Sequence, residues 1–212
     1  MATLAMFPLS TVVHPTAALP LHVFEPRYRQ MVREVLEGRG EFGVVLIERG
    51  SEVGGGDVRT DVGTLARILE ADELPDGRWV LLAAGVERLR VREWLPDHPY
   101  PLADVEPWPD PPPSAELAPL ITRATASLRL LAATLSETGR TARFEIELPD
   151  DPVLATYRLC AGSPLGPADQ QRLLAAPSPE TRLELLVELL EDVREVLVAQ
   201  MRLDEGGGPA QD

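Results

Sequence analysis

Apolar residues along this chain keep two rhythms, and the change falls near residue 107. Before it the apolar runs are short and β-rich. Leu4–Val13 and Ala17–Phe24 are proline-punctuated apolar segments, and Phe42–Glu48 is a continuous β-branched run that reads as a buried strand. Gly63–Glu70 and Trp79–Ala83 read as strands, and Leu74-Pro75-Asp76-Gly77 between them has turn chemistry, so the two predict a hairpin. Val86–Leu95 alternates and Leu102–Val105 makes a short last strand. One helix interrupts the series. Pro26 suits its first turn, Tyr28, Met31, Val32, Val35 and Leu36 fall at helical spacing, and Gly38 is placed to end it.

Pro107–Pro113 lacks most backbone donors and predicts a stiff extended linker. The period beyond it is helical. Ala115–Glu137 puts Leu117, Leu120, Ile121, Ala124, Leu128, Leu131 and Leu135 on one face, with Gly139 as a terminator. Asp151-Pro152 is an N-cap and first-turn proline opening a helix to about Ala161, and Pro167–Ala176 is a shorter helix. Ser178-Pro179 opens the last helix, with a stripe of Leu183, Leu186, Val187, Leu190, Val193, Leu197 and Met201. Gly-rich Asp204–Asp212 reads as a disordered tail. The expectation is an α+β chain: a strand domain over 1–106, a linker over 107–113, about four helices over 114–203 and a tail over 204–212. Six or seven short strands imply a closed or partly closed barrel, since closure removes edges.

Charge narrows the function classes. The 34 acidic against 20 basic residues give a net charge of −14, which opposes binding to a phosphate backbone. All 20 basic residues are arginine. Without lysine these residues supply neither a Walker A lysine, nor a Ser–Lys dyad, nor a Schiff base. The single cysteine, Cys160, excludes an internal disulfide and a cysteine-clustered metal site. No apolar run approaches the ~18 residues of a membrane span and no signal pattern opens the chain, so a cytoplasmic protein is expected.

Candidate chemistry is sparse. Glu25, Pro26, Arg27 and Tyr28 put an acid, a base and a phenol at a strand–helix junction, yet a helix start with Tyr28 turned inward and Arg27 paired to a carboxylate explains the same residues. His14, His22 and His98 lack metal-ligand spacing, so neither metal nor cofactor is expected. Gly54-Gly55-Gly56 is followed by no nucleotide motif and reads as a loop. Glu145, Glu147, Asp150 and Asp151 read as a solvated acidic connection, and Cys160 as a buried, inert thiol. Arg67, Arg88, Arg90 and Arg92 lie on adjoining strands and either line a groove for an anionic ligand or form a salt-bridged outer face. Trp79, Trp94 and Trp108 are either exposed anchors or core, with Trp108 the one expected between the two halves.

The stretch from Met6 to Met31, with FPL, Val12-Val13-His14-Pro15, Leu19-Pro20-Leu21 and Phe24-Glu25-Pro26-Arg27-Tyr28-Arg29, resembles the start of the N-terminal substrate-binding domain of Lon proteases. Val62–Ile68, Gly85–Val91 and Tyr100–Val105 agree in order, with Gly63 and Gly85 joining Phe24–Tyr28 as motif positions. The resemblance implies a PUA-like pseudo-barrel with one inserted helix, followed by helices. It implies a non-catalytic module for unfolded or extended polypeptide, an adaptor or holdase, and any peptidase (S16 family) label would be inherited from bacterial relatives with separate ATPase and protease domains. Arg67, Arg88, Arg90, Trp79 and Trp108 are the binding candidates. RNA or nucleotide binding through the barrel is the alternative, disfavoured by charge; a separate protease or chaperone partner and a homodimer stay open, and no membrane partner is expected.

Overall fold

The computed structural model describes residues 2–49, 58–137 and 146–206. Gly54–Gly56, Gly139, Glu145 and the end of the tail, 207–212, lie outside the described residues. Among those described are six strands and five helices in two compact units: Met1–Pro111 with Gly166–Ala175, and Pro112–Leu165 with Ala176–Asp212. No described helix is long and apolar enough to cross a membrane.

The first unit holds β1 (Ala2–Leu9), β2 (Ala18–Val23), α1 (Pro26–Glu37), β3 (Glu41–Arg49), β4 (Val58–Glu73), β5 (Trp79–Leu95) and β6 (Leu102–Pro107) in sheet order β2-β5-β4-β3-β1-β6, and β6 returns to β5. Five strands therefore close a circuit while β2 stays outside it. β5 makes this possible by serving two neighbours on one side. Its residues Trp79–Ala84 pair with β2, and Leu89–Leu95 pair with β6. Between them Val86 is bulged out opposite Leu65 and Ala66, which bends the strand. The pattern predicted two strands with a break at Gly85; the break is this bulge, and one long strand runs through it. Gly85 is needed there, because a Cβ would meet the His14 carbonyl oxygen at 2.3 Å. Gly63 is equally confined, since a Cβ there would lie 2.2 Å from the Val44 oxygen.

α1 starts at Pro26 and buries Tyr28, Met31 and Val32. The N–H of Gly38 bonds the Val35 carbonyl at 3.1 Å and ends it. The helix packs into the main core with Phe7, Val13, Val23, Phe42, Val44 and Trp79. Met6, Val45, Leu89, Val91, Ala103 and Val105 form a second core.

The fourth helix, α4 (Pro167–Leu174), belongs to this strand unit. The sequence reading placed it among the helices of 114–203. Polar contacts hold it to β4, β5 and the β1–β2 connection: His14 Nε2 lies 2.7 Å from Gln170 Oε1, Gln171 Nε2 donates to the Val62 carbonyl at 2.9 Å, and Arg88 Nη1 donates to the Leu174 carbonyl at 2.9 Å. Apolar spacing marks a face that must be covered but does not name the surface that covers it.

In the second unit α2 (Leu117–Glu137) packs along α5 (Pro179–Gly206), with α3 (Pro152–Ala161) against both. Leu117, Ala124, Leu128 and Leu131 of α2 are buried, as are Leu183, Leu186, Val187 and Leu190 of α5. The Asp151 carboxylate caps α3, accepting from Val153 N at 2.8 Å and Leu154 N at 3.1 Å. α5 runs to Gly206, beyond the predicted start of the tail at Asp204.

Candidate functional site

Because β2 stands outside the closed circuit, the strand unit keeps an open seam. On one side, Met6–Leu9 of β1 pair with β3, and the last contact on the other edge is the Met6 N–H bonded to the Pro101 carbonyl at 2.9 Å. On the other side, β2 pairs among the described strands with β5 alone. The polarity of its free edge follows from one bond: Gly85 N–H donates to the Ala17 carbonyl at 2.9 Å, so odd-numbered residues aim their backbone groups at β5. Ala18, Pro20 and His22 therefore aim theirs outward. Pro20 fits that phase, since its missing N–H costs no ladder bond and its ring meets no neighbouring strand.

Between the two edges lies a cavity of about 200 Å³, lined by Phe7 and Leu9 of β1, the β2 residues Pro20–Val23, and Phe24, Glu25 and Tyr28. Phe7 and Tyr28 stack at 4.3 Å between ring centroids. Phe24 is 53% exposed. A phenylalanine half-exposed beside an apolar cavity leaves much of its ring uncovered, which makes it the residue of the motif most available to a partner. Sequence reasoning counted Phe24 as structural. The signal was its parity, since Phe24 continues the outward series Ala18, Pro20, His22.

The acid, base and phenol of the motif engage one another. Arg27 Nε donates to Glu25 Oε2 at 3.2 Å, supplying the carboxylate partner the sequence left unnamed, and the Arg27 guanidinium sits 4.6 Å from the centre of the Tyr28 ring. Glu25 makes no side-chain cap bond to α1. Glu25 and Arg27 are thus ion-paired, and Tyr28 is buried in the main core.

The proposed arginine groove is not assembled. Arg88 pairs across from Thr64, so strand alternation puts Arg67 on the opposite face of β4. Arg67 bonds Glu41 through Nη2 at 2.7 Å. Arg88 is buried: its Nη2 lies 2.7 Å from Asp110 Oδ1, with 1% and 5% of the two side chains exposed. Trp108 takes the guanidinium of Arg88 at 4.2 Å and that of Arg90 at 4.1 Å, and its backbone N–H donates to the Arg88 carbonyl, so its described contacts lie within the strand unit. Arg92 pairs with Glu106 at 2.5 Å. Trp79 is buried in the main core and cannot act as an exposed anchor, while Trp94 lies under Arg59.

The outer face of β2, β5 and β4 has a different character. Register aligns Pro20 with Leu82 and Glu70, and His22 with Val80 and Asp72. Val80 is 45% exposed. The result is an apolar stripe with two carboxylates along its β4 side.

Elsewhere the chemistry is structural. His14 is buried against Gln170. Burial pushes the Cys160 thiol up to about 12, with nearby Arg182 acting the other way. Arg182 itself is buried, donating to Thr156 Oγ1 at 2.8 Å and to Tyr157 Oη at 3.1 Å. The helical unit has the larger cavity, about 500 Å³, between α2 and Ile146–Leu148. Among the described residues no three His, Cys, Asp or Glu side chains gather as metal ligands.

Residues 3–192 match the family model described as the ATP-dependent protease La (LON) substrate-binding domain. The Lon protease of Koribacter versatilis is 28% identical over 208 residues, covering 94% of this chain and 25% of that protein. The Lon protease of Anaeromyxobacter dehalogenans is 25% identical over 96% of this chain, again 25% of its own length. The chain thus spans about a quarter of the curated relatives it matches. Among solved structures, the Lon N-terminal domain protein from Xanthomonas campestris superposes with a TM-score of 0.63 at 29% identity, covering 89% of this chain and 98% of that one. The N-terminal domain of the Mycobacterium avium complex Lon protease gives 0.63 at 18% identity over 90% of this chain and 99% of its own, a likeness of fold.

Proposed function

This chain belongs to the Lon substrate-binding domain family, and from that premise we propose that it is a non-catalytic polypeptide-binding module, an adaptor or holdase for exposed apolar segments. The observation that carries the reading is the open seam, where unpaired backbone groups of β2, a cavity of about 200 Å³ and the exposed ring of Phe24 coincide. Unfolded chains offer the complementary features, free backbone groups and apolar side chains, which folded proteins have already satisfied among themselves. No reaction is required, and the motif's ionisable groups are committed to packing. A separate protease or chaperone would receive what is held.

Nucleic-acid binding is the weaker reading. Arg88 is buried against Asp110, and Arg67 and Arg92 are paired with Glu41 and Glu106, which leaves this sheet little free positive charge within a chain of net charge −14.

The test is capture of a chemically denatured model protein. Light scattering during its dilution from denaturant should fall as this protein is added, and cross-linking should join the two chains. Unchanged aggregation together with no cross-link at a large molar excess would defeat the proposal.

A further inference from the structure

Taking the polypeptide-binding reading as its ground, we infer that the bound segment adds as a strand along the outer edge of β2, and that the segment preferred is extended, apolar at alternate positions and flanked by Lys or Arg. The edge sets the backbone part. Ala18 and His22 each offer an outward N–H and C=O, and Pro20 offers a carbonyl alone. That set suits an incoming strand, although it is one donor short of a full ladder. The missing donor also explains why the edge is not a general sticking point: proline on an edge strand blunts indiscriminate pairing, so side chains must supply the rest of the affinity.

Alternation along an added strand would send every second side chain toward the cavity, beside Leu21, Val23 and the stacked Phe7 and Tyr28 rings. At about 200 Å³ the space accepts one large aliphatic or aromatic side chain, with Phe24 able to close over it. The intervening side chains would lie on the outer face, next to Pro20 and His22.

Charge decides the flanks. On that outer face the rows run from Pro20 through Leu82 to Glu70, and from His22 through Val80 to Asp72. Neither Glu70 nor Asp72 makes an ion pair among the described residues, whereas Glu41 and Glu73, also at the strands around them, are held by Arg67 and Arg33. An added strand would run about 14 Å from β4, three strand spacings away. A lysine or arginine laid over the Leu82 and Val80 stripe keeps its aliphatic stem on apolar surface and carries its charge toward those carboxylates. An acidic flank would meet them, and the overall charge of −14, with repulsion.

The experiment measures anisotropy of fluorescein-labelled peptides of about nine residues against the full chain. The first carries Val or Phe at alternate positions, with Ser between them, inside Lys pairs; the second has Glu pairs instead; the third and fourth are the Lys peptide N-methylated on one or the other set of alternate amides. The Lys-flanked peptide should bind most tightly. N-methylation on the phase facing β2 should weaken binding at least tenfold, and H22P should do the same. The preference for Lys over Glu flanks should be severalfold and should shrink in E70Q/D72Q and at about 1 M salt. If H22P fails to fold by circular dichroism, the methylated peptides alone decide the backbone claim. Equal binding of both methylation phases would overturn strand addition while leaving polypeptide binding intact, and equal binding of Lys and Glu peptides would overturn the charge preference. Capture of a denatured protein with no binding of any peptide would overturn the seam as the site. Capture of nothing would remove the underlying reading itself.

Discussion

Arg88 and Asp110 meet at 2.7 Å in a place where neither side chain retains appreciable contact with water. The guanidinium also carries the Leu174 carbonyl and the Trp108 ring, so one residue of β5 gathers the start of the proline-rich segment and the end of α4. Replacing Asp110 by Ala leaves a buried cation without its counter-charge. D110A should cost about 3–5 kcal/mol, read as a lower urea midpoint of the strand unit at unchanged slope.

Gly63 and Gly85 supply a second prediction. The Cβ of G63A would lie 2.2 Å from the Val44 oxygen and that of G85A 2.3 Å from the His14 oxygen, both backbone atoms that cannot swing aside. Each alanine should destabilise by about 1–3 kcal/mol through overpacking, measured by thermal unfolding.

A third concerns alkaline and acid limits. Burial, with a further contribution from the hydrogen bond to Glu34, raises the Tyr100 phenol from 10.0 to about 12. The folded state therefore holds this proton more tightly than the unfolded chain, so the contribution is complete below pH 10 and fades as pH rises toward 12. Glu34 has the opposite sign: the Tyr100 bond, then that of Gln30, lowers its pKa, so its contribution is present above 4.5 and fades as pH falls through the depressed value. Y100F should flatten the alkaline limb between pH 10 and 12 and weaken the acid dependence. Denaturant midpoints taken across pH test both.

The lone thiol gives a fourth. With burial holding it near 12, native Cys160 should not react with a disulfide reagent at pH 8, and its modification should proceed at the rate of opening of the helical unit. Rapid stoichiometric labelling of native protein would contradict the burial.

Phe24 separates binding from stability. Because the ring is 53% exposed, F24S should cost only about 1 kcal/mol of stability while reducing capture of denatured protein severalfold. A large loss of stability would mean the ring is part of the core.

Elements with a single strong local cause were legible in the sequence. Pro26, Gly38 and the inward Tyr28 fixed α1, and Asp151-Pro152 fixed the start of α3. The family blocks pointed to the right fold before any coordinate. What escaped were choices between surfaces. Arg88 and Arg67 share an arginine's chemistry, but pairing with Asp110 or Glu41 depends on which face of the sheet each occupies. Trp79 and Phe24 are aromatic residues of neighbouring segments, one buried and one half-exposed: Trp79 pairs across from buried Val23, and Phe24, the next residue, falls on the opposite phase. The bulge at Val86 likewise arises from β5 serving two partners, a demand invisible within the strand itself.

The return of α4 to the strand unit has a consequence for synthesis on the ribosome. All six strands have been made by Pro107, yet residues 166–175 that complete their unit follow only after the whole of 112–165. At about 5–20 residues per second the barrel waits on the order of several seconds with Arg88 and His14 lacking their α4 partners. A nascent chain stalled just past the proline-rich segment should therefore be protease-sensitive, and one stalled beyond the exit of α4 protected.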